Sequence, residues 1–453
     1  MKSCRKRRFA RKLNATWHIV LICVILASSS RAFAENWPGW RGDGRGISSE
    51  KNLPLKWSEN EGVKWKTPIP GTGHSSPIVW GNRVFLTTAV AEDPNVESFR
   101  GGVYLGGDRR KPDASEYDYR VICLDAEEGN IRWSKAVARH NPKTRRHTKN
   151  TYASETPVTD GQHVFASFGS AGLYCLDFEG KVIWQRDLGL LRGRAGWGTA
   201  ASPVLFRNTV IVNCDSDDDS YIAAFEKTTG DPVWRTERNE GASWATPFLF
   251  EAAGRTTVVT NARRRMRGYE AATGKLLWEC AGGSMIPVPS PVATRDLVFL
   301  SSGHNLFPRR PIVAVRPEAS GDITPAKGQT GSQGVAWRHS KGGAYVTSPI
   351  AVGDYLYVPQ DKGTLSCYEA RTGKVVYEGQ KLGVRNTITA SPTAADGRMY
   401  IQTEDGECYV VKLGPTFEIL AVNKLDEIFC ASPAVSGGRL FLRGRKHLYC
   451  IGK

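Results

Sequence analysis

Asp215, Asp217, Asp219 and Glu226 stand at positions 1, 3, 5 and 12 of a twelve-residue stretch with Ile222 at position 8. That is the spacing with which an EF-type loop wraps Ca²⁺ in oxygen ligands. The setting gives another reading. The stretch joins the β-branched run Val210-Ile211-Val212 to Tyr221–Phe225, Ser220 takes the place of the turn glycine, and Glu226 falls at an acidic position that recurs as Asp125 and Asp177. Read so, it is a solvated acidic turn between two strands, and no metal is expected there.

The eight histidines show no metal-ligand spacing, and neither Gly-x-Ser-x-Gly nor Cys-x-x-Cys occurs. Recognition is the chemistry better represented. His74, Tyr152, Trp197, Trp244, Tyr345 and Phe429 each stand shortly before a Ser-Pro or Thr-Pro pair. Rings gathered at one mouth near basic loops suit a partner-binding surface, where they supply contact area and Arg supplies charge-assisted hydrogen bonds. The same rings could serve only as packing that plugs a channel.

The pairs that follow these residues organise the whole chain. Their prolines are Pro77, Pro157, Pro203, Pro247, Pro291, Pro349, Pro392 and Pro433, with gaps of 80, 46, 44, 44, 58, 43 and 41 residues. A period in the low forties with two inflated gaps is one supersecondary unit stacked on copies of itself. Within each copy, aromatic and β-branched runs alternate with Gly and Asp turns, and no helical period persists. The expected fold is all-β: an eight-bladed β-propeller of four-stranded antiparallel blades. Most copies close on an aromatic, Trp133, Trp184, Trp234, Trp278, Trp337 and Tyr377. Burying about 200 Å² of indole at about 25 cal/mol per Å² contributes roughly 5 kcal/mol gross per blade, so these rings are core. The last copy stops at Lys453 without its closing strand, and Gly62-Val63-Lys64-Trp65-Lys66-Thr67 carries the missing pattern. An N-terminal strand that completes blade eight would pair both edges and close the ring.

Residues 1–34 lie outside that ring. Lys2 to Lys12 hold seven basic residues, an apolar stretch runs from Trp17 to Ala27, and Ala32-Phe33-Ala34 forms a small-x-small site. This reads as a secretory signal peptide, too short in its apolar part to span, followed by one propeller domain over 35–453 in an exported, periplasmic or envelope-associated protein. Without the leader the formal charge of +16 falls to +8. The remainder clusters in Arg109-Arg110-Lys111, Lys143 to Lys149 and Arg263 to Arg267. Solvated charge is one reading and an anionic partner the other. Export argues against nucleic acid. Of the cysteines beyond the leader, Cys123, Cys175, Cys367 and Cys450 share one place in their repeats, where other copies have Ala224, Gly268 or Ala314. That marks a small buried slot rather than disulfides. Two insertions, 90–118 and 317–334, interrupt the period; the first is a candidate binding loop and the second reads as disordered.

The hairpins Tyr269-Glu270-Ala271-Ala272-Thr273-Gly274-Lys275-Leu276-Leu277-Trp278 and Leu124-Asp125-Ala126-Glu127-Glu128-Gly129-Asn130-Ile131-Arg132-Trp133 resemble the tryptophan-docking repeat of eight-bladed quinoprotein-type propellers. The resemblance implies one of two activities. One branch comprises dehydrogenases that hold pyrroloquinoline quinone (PQQ) with calcium; another comprises non-enzymatic propellers, including the lipoprotein of the bacterial outer-membrane β-barrel assembly machinery, which binds proteins. The dehydrogenases carry an adjacent Cys-Cys pair beside the quinone, whereas the closest cysteines here beyond the leader, Cys430 and Cys450, are 20 positions apart. The resulting expectation is a monomeric exported scaffold without cofactor that binds an envelope protein or an anionic polymer; the alternative is a PQQ- and calcium-dependent dehydrogenase.

Overall fold

A computed structural model describes residue 1 and residues 34–96, 99–104, 106, 112–304 and 306–453. The expected signal peptide, apart from residues 1 and 34, and the Arg109-Arg110-Lys111 cluster lie outside them. Residues 34–453 form one compact unit. It consists of eight sheets, each with four antiparallel strands that follow one another in sequence, except that blade four gains a fifth strand from the 317–334 segment, which interrupts blade five, and that blade eight takes its outer strand from the N-terminal part of the chain. Blade three is typical: Val204–Phe206, Thr209–Cys214, Ser220–Glu226 and Pro232–Arg238 pair in sequence order. In blade eight the strands Ala434–Ser436, Arg439–Arg443 and His447–Ile451 are completed by Val63–Pro68, with Trp65 opposite Cys450. The ring closes as the sequence implies.

The repeat has a local cause at each of its marks. The acid that ends the third strand caps the following turn: Asp125 Oδ1 accepts from the N–H of Glu127 and Glu128 at 2.8 and 2.9 Å, and Glu226 Oε2 accepts from Thr228 and Thr229, both at 2.7 Å. Such side-chain to backbone bonds are what favours these residues in turns. The turn glycine then meets the tryptophan of the preceding blade. Gly230 has φ +74°, and a Cβ there would lie 2.6 Å from the Trp184 ring, so only glycine gives both the backbone and the docking surface. The indole N–H donates to a carbonyl of the same turn: Trp65 to Ala126 (3.2 Å), Trp133 to Phe178 (2.8 Å), Trp184 to Lys227 (2.9 Å), Trp234 to Ala271 (3.2 Å) and Trp337 to Ala370 (2.9 Å). The small slot lies directly across the sheet from this ring, as in Cys123 opposite Trp133 and Ala224 opposite Trp234. All eight cysteines beyond the leader are buried free thiols, and burial pushes Cys123, Cys175 and Cys367 up to about 12.

The Ser/Thr-Pro pairs form a ring of their own. Ser76 N–H donates to Thr156 Oγ1 (2.8 Å), Thr156 to Ser202 (2.9 Å), Ser202 to Thr246 (3.1 Å) and Thr246 to Ser290 (2.9 Å). Ser290 then donates to Ser348 (3.0 Å), Ser348 to Ser391 (2.9 Å), Ser391 to Ser432 (3.1 Å) and Ser432 back to Ser76 (3.0 Å). Each blade thus hands a hydroxyl to the backbone of the blade before it.

The 317–334 insertion corrects the expectation of disorder. Gly321–Asp322 adds a fifth strand, parallel, to the outer edge of blade four beside Trp278 and Glu279, and Ala319 and Ile323 bury against that blade's core. This segment stands where the turn of blade five would otherwise receive Trp278. The N-terminal segment does more than close the ring. Trp37 pairs with Val79 of blade one, Pro38 accepts from Thr159 of blade two, and Gly46 and Ser48 bond Ala394 of blade seven. It therefore crosses the inner strands and carries Trp40 to the axis.

Candidate functional site

One residue from each blade, two positions before its Ser or Thr, faces a cavity on the propeller axis: His74, Ser154, Ala200, Trp244, Val288, Val346, Thr389 and Cys430. The cavity encloses about 210 Å³. Trp40 lines it and also a separate groove between the N-terminal segment and blades two to four, so this indole stands between the two spaces.

Four of the six sequence candidates reach the cavity: His74, Trp197, Trp244 and Tyr345. Trp197 and Trp244 pack with ring centroids 5.6 Å apart, and the Trp244 N–H donates to Gly198 O at 2.8 Å. Tyr345 meets His304 edge to face at 4.3 Å. The other two do not line it. Tyr152 packs on Tyr117 and under Arg146, which is paired with Asp113 at 3.0 Å, and Phe429 is core of blade eight against Tyr449. They stand four and three positions before their pairs; Tyr345 shares the offset of Phe429 and still reaches the wall, so the offset alone does not decide.

Trp40, Tyr104, His147, Lys149 and Asn150 also form the wall; the sequence pointed to three of these only through the 90–118 insertion and the Lys143 to Lys149 cluster, and not as individual residues. Tyr104 belongs to the 90–118 insertion, whose residues 102–104 line the cavity. Gly102 N–H donates to Glu404 Oε2 at 2.8 Å, Lys149 Nζ to Gly102 O at 2.9 Å, and Tyr104 stacks beside His147 at 5.0 Å. Glu404 also pairs with Lys149 Nζ and accepts from Thr389 Oγ1, so both its oxygens are engaged. A fixed offset from the Pro pairs would have found Thr389 and Ser154; nothing in the repeat signals the insertion residues.

Electrostatically the site is positive. Burial, then Arg445, Arg443, Lys149 and Arg146, hold the His74 imidazole well below its usual range, and its Nε2 is buried without a partner. Burial and Lys149 lower His147 to about 4. Arg443, behind the wall, donates to Ser75 O (3.1 Å) and Thr87 O (2.6 Å), and burial lowers it to about 9.

The acidic stretch is not assembled as an EF-type loop. Asp215 forms a fully buried ion pair with Arg238 at 2.7 Å and also accepts from Asn213 Nδ2 at 3.1 Å. Asp217 and Asp219 are exposed, and Glu226 caps its turn at the far end of the strand. A calcium-and-quinone centre needs six to eight oxygen ligands, carboxylates among them. No carboxylate lines the axial cavity among the described residues. Another oxygen-rich group, Glu155, Asn213 and Asp215, lines a separate void of about 10 Å³. There Glu155 Oε1 and Asn213 Oδ1 lack partners, while Asp215 is taken by Arg238. These residues do not fit the calcium of a quinoprotein.

These features define an eight-bladed, tryptophan-docked propeller of the quinoprotein type with an aromatic axial cavity. A sequence model described as outer membrane protein assembly factor BamB matches residues 42–211, 117–322 and 319–413, and the chain belongs to that family. No curated protein matches. Among solved structures it is similar to quinohemoprotein alcohol dehydrogenase from Comamonas testosteroni, at 12% identity and TM-score 0.62 over 92% of this chain and 81% of that one. It is also similar to BamB from Moraxella catarrhalis, at 13% identity and TM-score 0.51 over 81% and 97%. Quinohemoprotein alcohol dehydrogenase ADHIIG from Pseudomonas putida HK5 matches at 11% identity and TM-score 0.57 over 92% and 80%. Identities this low establish the fold alone. No helix among the described residues is long and apolar enough to cross a membrane.

Proposed function

We propose that the protein is an exported, single-ring propeller that works by binding rather than by catalysis. It holds a partner of the cell envelope, a protein or an anionic polymer, at the axial mouth and uses no quinone or metal. The observation that carries this reading is the axial wall: all eight blades contribute to it, Trp197, Trp244, Tyr104 and Tyr345 line it, and among the described residues it offers no carboxylate to a cation. The family description, which names an outer-membrane assembly factor, supports a partner in the envelope. The rival reading, a dehydrogenase, draws on the likeness to quinohemoprotein alcohol dehydrogenases and on the trio Glu155, Asn213 and Asp215 beside the cavity.

A titration with PQQ in calcium and in chelator separates the two. The binding reading expects no calcium-dependent uptake and no dye-linked alcohol oxidation. Calcium-dependent uptake with turnover would establish the dehydrogenase instead.

A further inference from the structure

A cavity with aromatic walls and a positive field, but with no acid among its described lining residues to hold a metal, has a ligand chemistry of its own. Lys149 Nζ stands on the wall beside Thr389, and the partnerless Nε2 of His74 belongs to the same wall. Behind it lies Arg443, 2% exposed, whose guanidinium bonds only carbonyl and hydroxyl oxygens and whose Nε has no partner. A buried cation without a carboxylate is costly in isolation, and an anion nearby lowers that cost. Glu404, the one acid at the mouth bonded to a wall cation, is spent on Lys149, Thr389 and Gly102.

Size narrows the choice. About 210 Å³ is below the ~300–1,000 Å³ typical of drug-sized sites and suits a single ring better than a fused three-ring quinone. The paired indoles of Trp197 and Trp244 offer a ring its face or edge, and Lys149 offers a carboxylate its charge.

We infer that the axial cavity binds a carboxylated six-membered ring directly, without a metal ion. The ring packs on the Trp197 and Trp244 side, and the carboxylate is met by Lys149 Nζ, with His74 Nε2 as a further hydrogen-bonding group. This rests on the binding reading above and gives its ligand a chemical class. A uronate unit of an anionic polymer and a free aromatic carboxylate share that chemistry.

The test is a fluorescence or calorimetric titration of the full chain in chelator with a uronate disaccharide, isophthalate, and the methyl ester of the uronate. At least one carboxylated probe binds in chelator, and the ester binds about tenfold or more weakly if the carboxylate is read by charge. Binding by the uronate but not isophthalate identifies a sugar source, and the reverse an aromatic one. Glu404→Gln leaves Lys149 without its acid and tightens the carboxylated probe about threefold or more; Lys149→Met weakens it about tenfold or more. Opposite signs in these two variants separate charge recognition from damage to the fold, which would weaken both alike. Failure of every carboxylated probe, a need for calcium, equal binding of the ester, or parallel weakening of both variants overturns the inference. Capture of a purified envelope partner that persists when no carboxylated probe binds would remove this inference and leave the binding reading standing. Probe binding accompanied by quinone-dependent turnover would do the reverse.

Discussion

The backbone N–H of Ser432 donates to Ser76 Oγ at 3.0 Å across 356 positions of sequence, and this bond closes the hydroxyl ring around the axis. Both groups are buried. Ser76→Ala leaves the Ser432 N–H without its acceptor, at a cost of about 1–3 kcal/mol. Ser76→Thr keeps the acceptor, and Thr156 and Thr246 already fill equivalent places, so that variant should melt close to the parent. Chemical denaturation of the pair checks both; equal losses would mean that the methyl group, and not the hydrogen bond, decides.

Removal of residues 35–68 takes away the outer strand of blade eight and exposes the edge of His447–Ile451. An unpaired edge next to an emptied indole slot predicts lower solubility and a melting point lower by several degrees. The milder Trp65→Ala keeps the strand but loses the ring docked on Gly129, for about 3–5 kcal/mol. Thermal melts of both variants check this; a truncated chain as stable as the parent would refute closure by this strand.

Glu155 supplies a pH signature. Burial raises its carboxyl from 4.5 to about 7, so the folded state holds the proton more tightly, and stability falls as pH rises from about 4.5 through about 7. Asp361, raised by burial from 3.8 to about 6, has the same sign in its own lower window. His74 has the opposite sign: burial and its cationic neighbours depress the imidazole, so the stability it contributes is lost as pH falls below 6.5. Glu155→Gln removes the ionisable group, and its amide can donate to the partnerless Asn213 Oδ1 on the same void. The variant should melt above the parent at pH 8, by up to ~3 kcal/mol equivalent, and converge with it near pH 5. Melts from pH 5 to 8 give the answer; a parallel offset at every pH would assign the change to packing.

Calcium should leave stability unchanged. A site that bound calcium in the folded state alone would add ~2.7 kcal/mol at a hundredfold excess over its dissociation constant. With Asp215 committed to Arg238 and no carboxylate on the axial wall among the described residues, melts with calcium and with chelator should coincide. A clear rise with calcium would place the ion at Glu155 and Asn213.

The fold was legible because each mark of the repeat has a local cause: Ser or Thr before Pro for the hydroxyl ring, an acid and Gly for the capped turn, Trp for the next blade. The site was legible only in part. His74 and Trp244 stand at the offset that every blade turns to the axis, but Tyr152 and Phe429 resemble them in type and proximity alone and pack instead on Tyr117 and in the core of blade eight. Tyr104 and Trp40 come from an insertion and from the N-terminal segment, whose paths no period encodes. The 317–334 segment misled through composition: its Gly, Ser, Thr and Gln suggest disorder, while Ala319 and Ile323 suffice to anchor it.

The strand Val63–Pro68 precedes its partner His447–Ile451 by almost four hundred residues and must wait for it. Contacts of such separation close slowly, because the intervening chain must be ordered before the pairing is rewarded. Until then seven blades stand as an open arc with strand edges exposed at both ends, the state in which sheet proteins most readily aggregate. The polarity that makes a seamless ring in the finished molecule therefore makes the unfinished one depend on shielding throughout its synthesis.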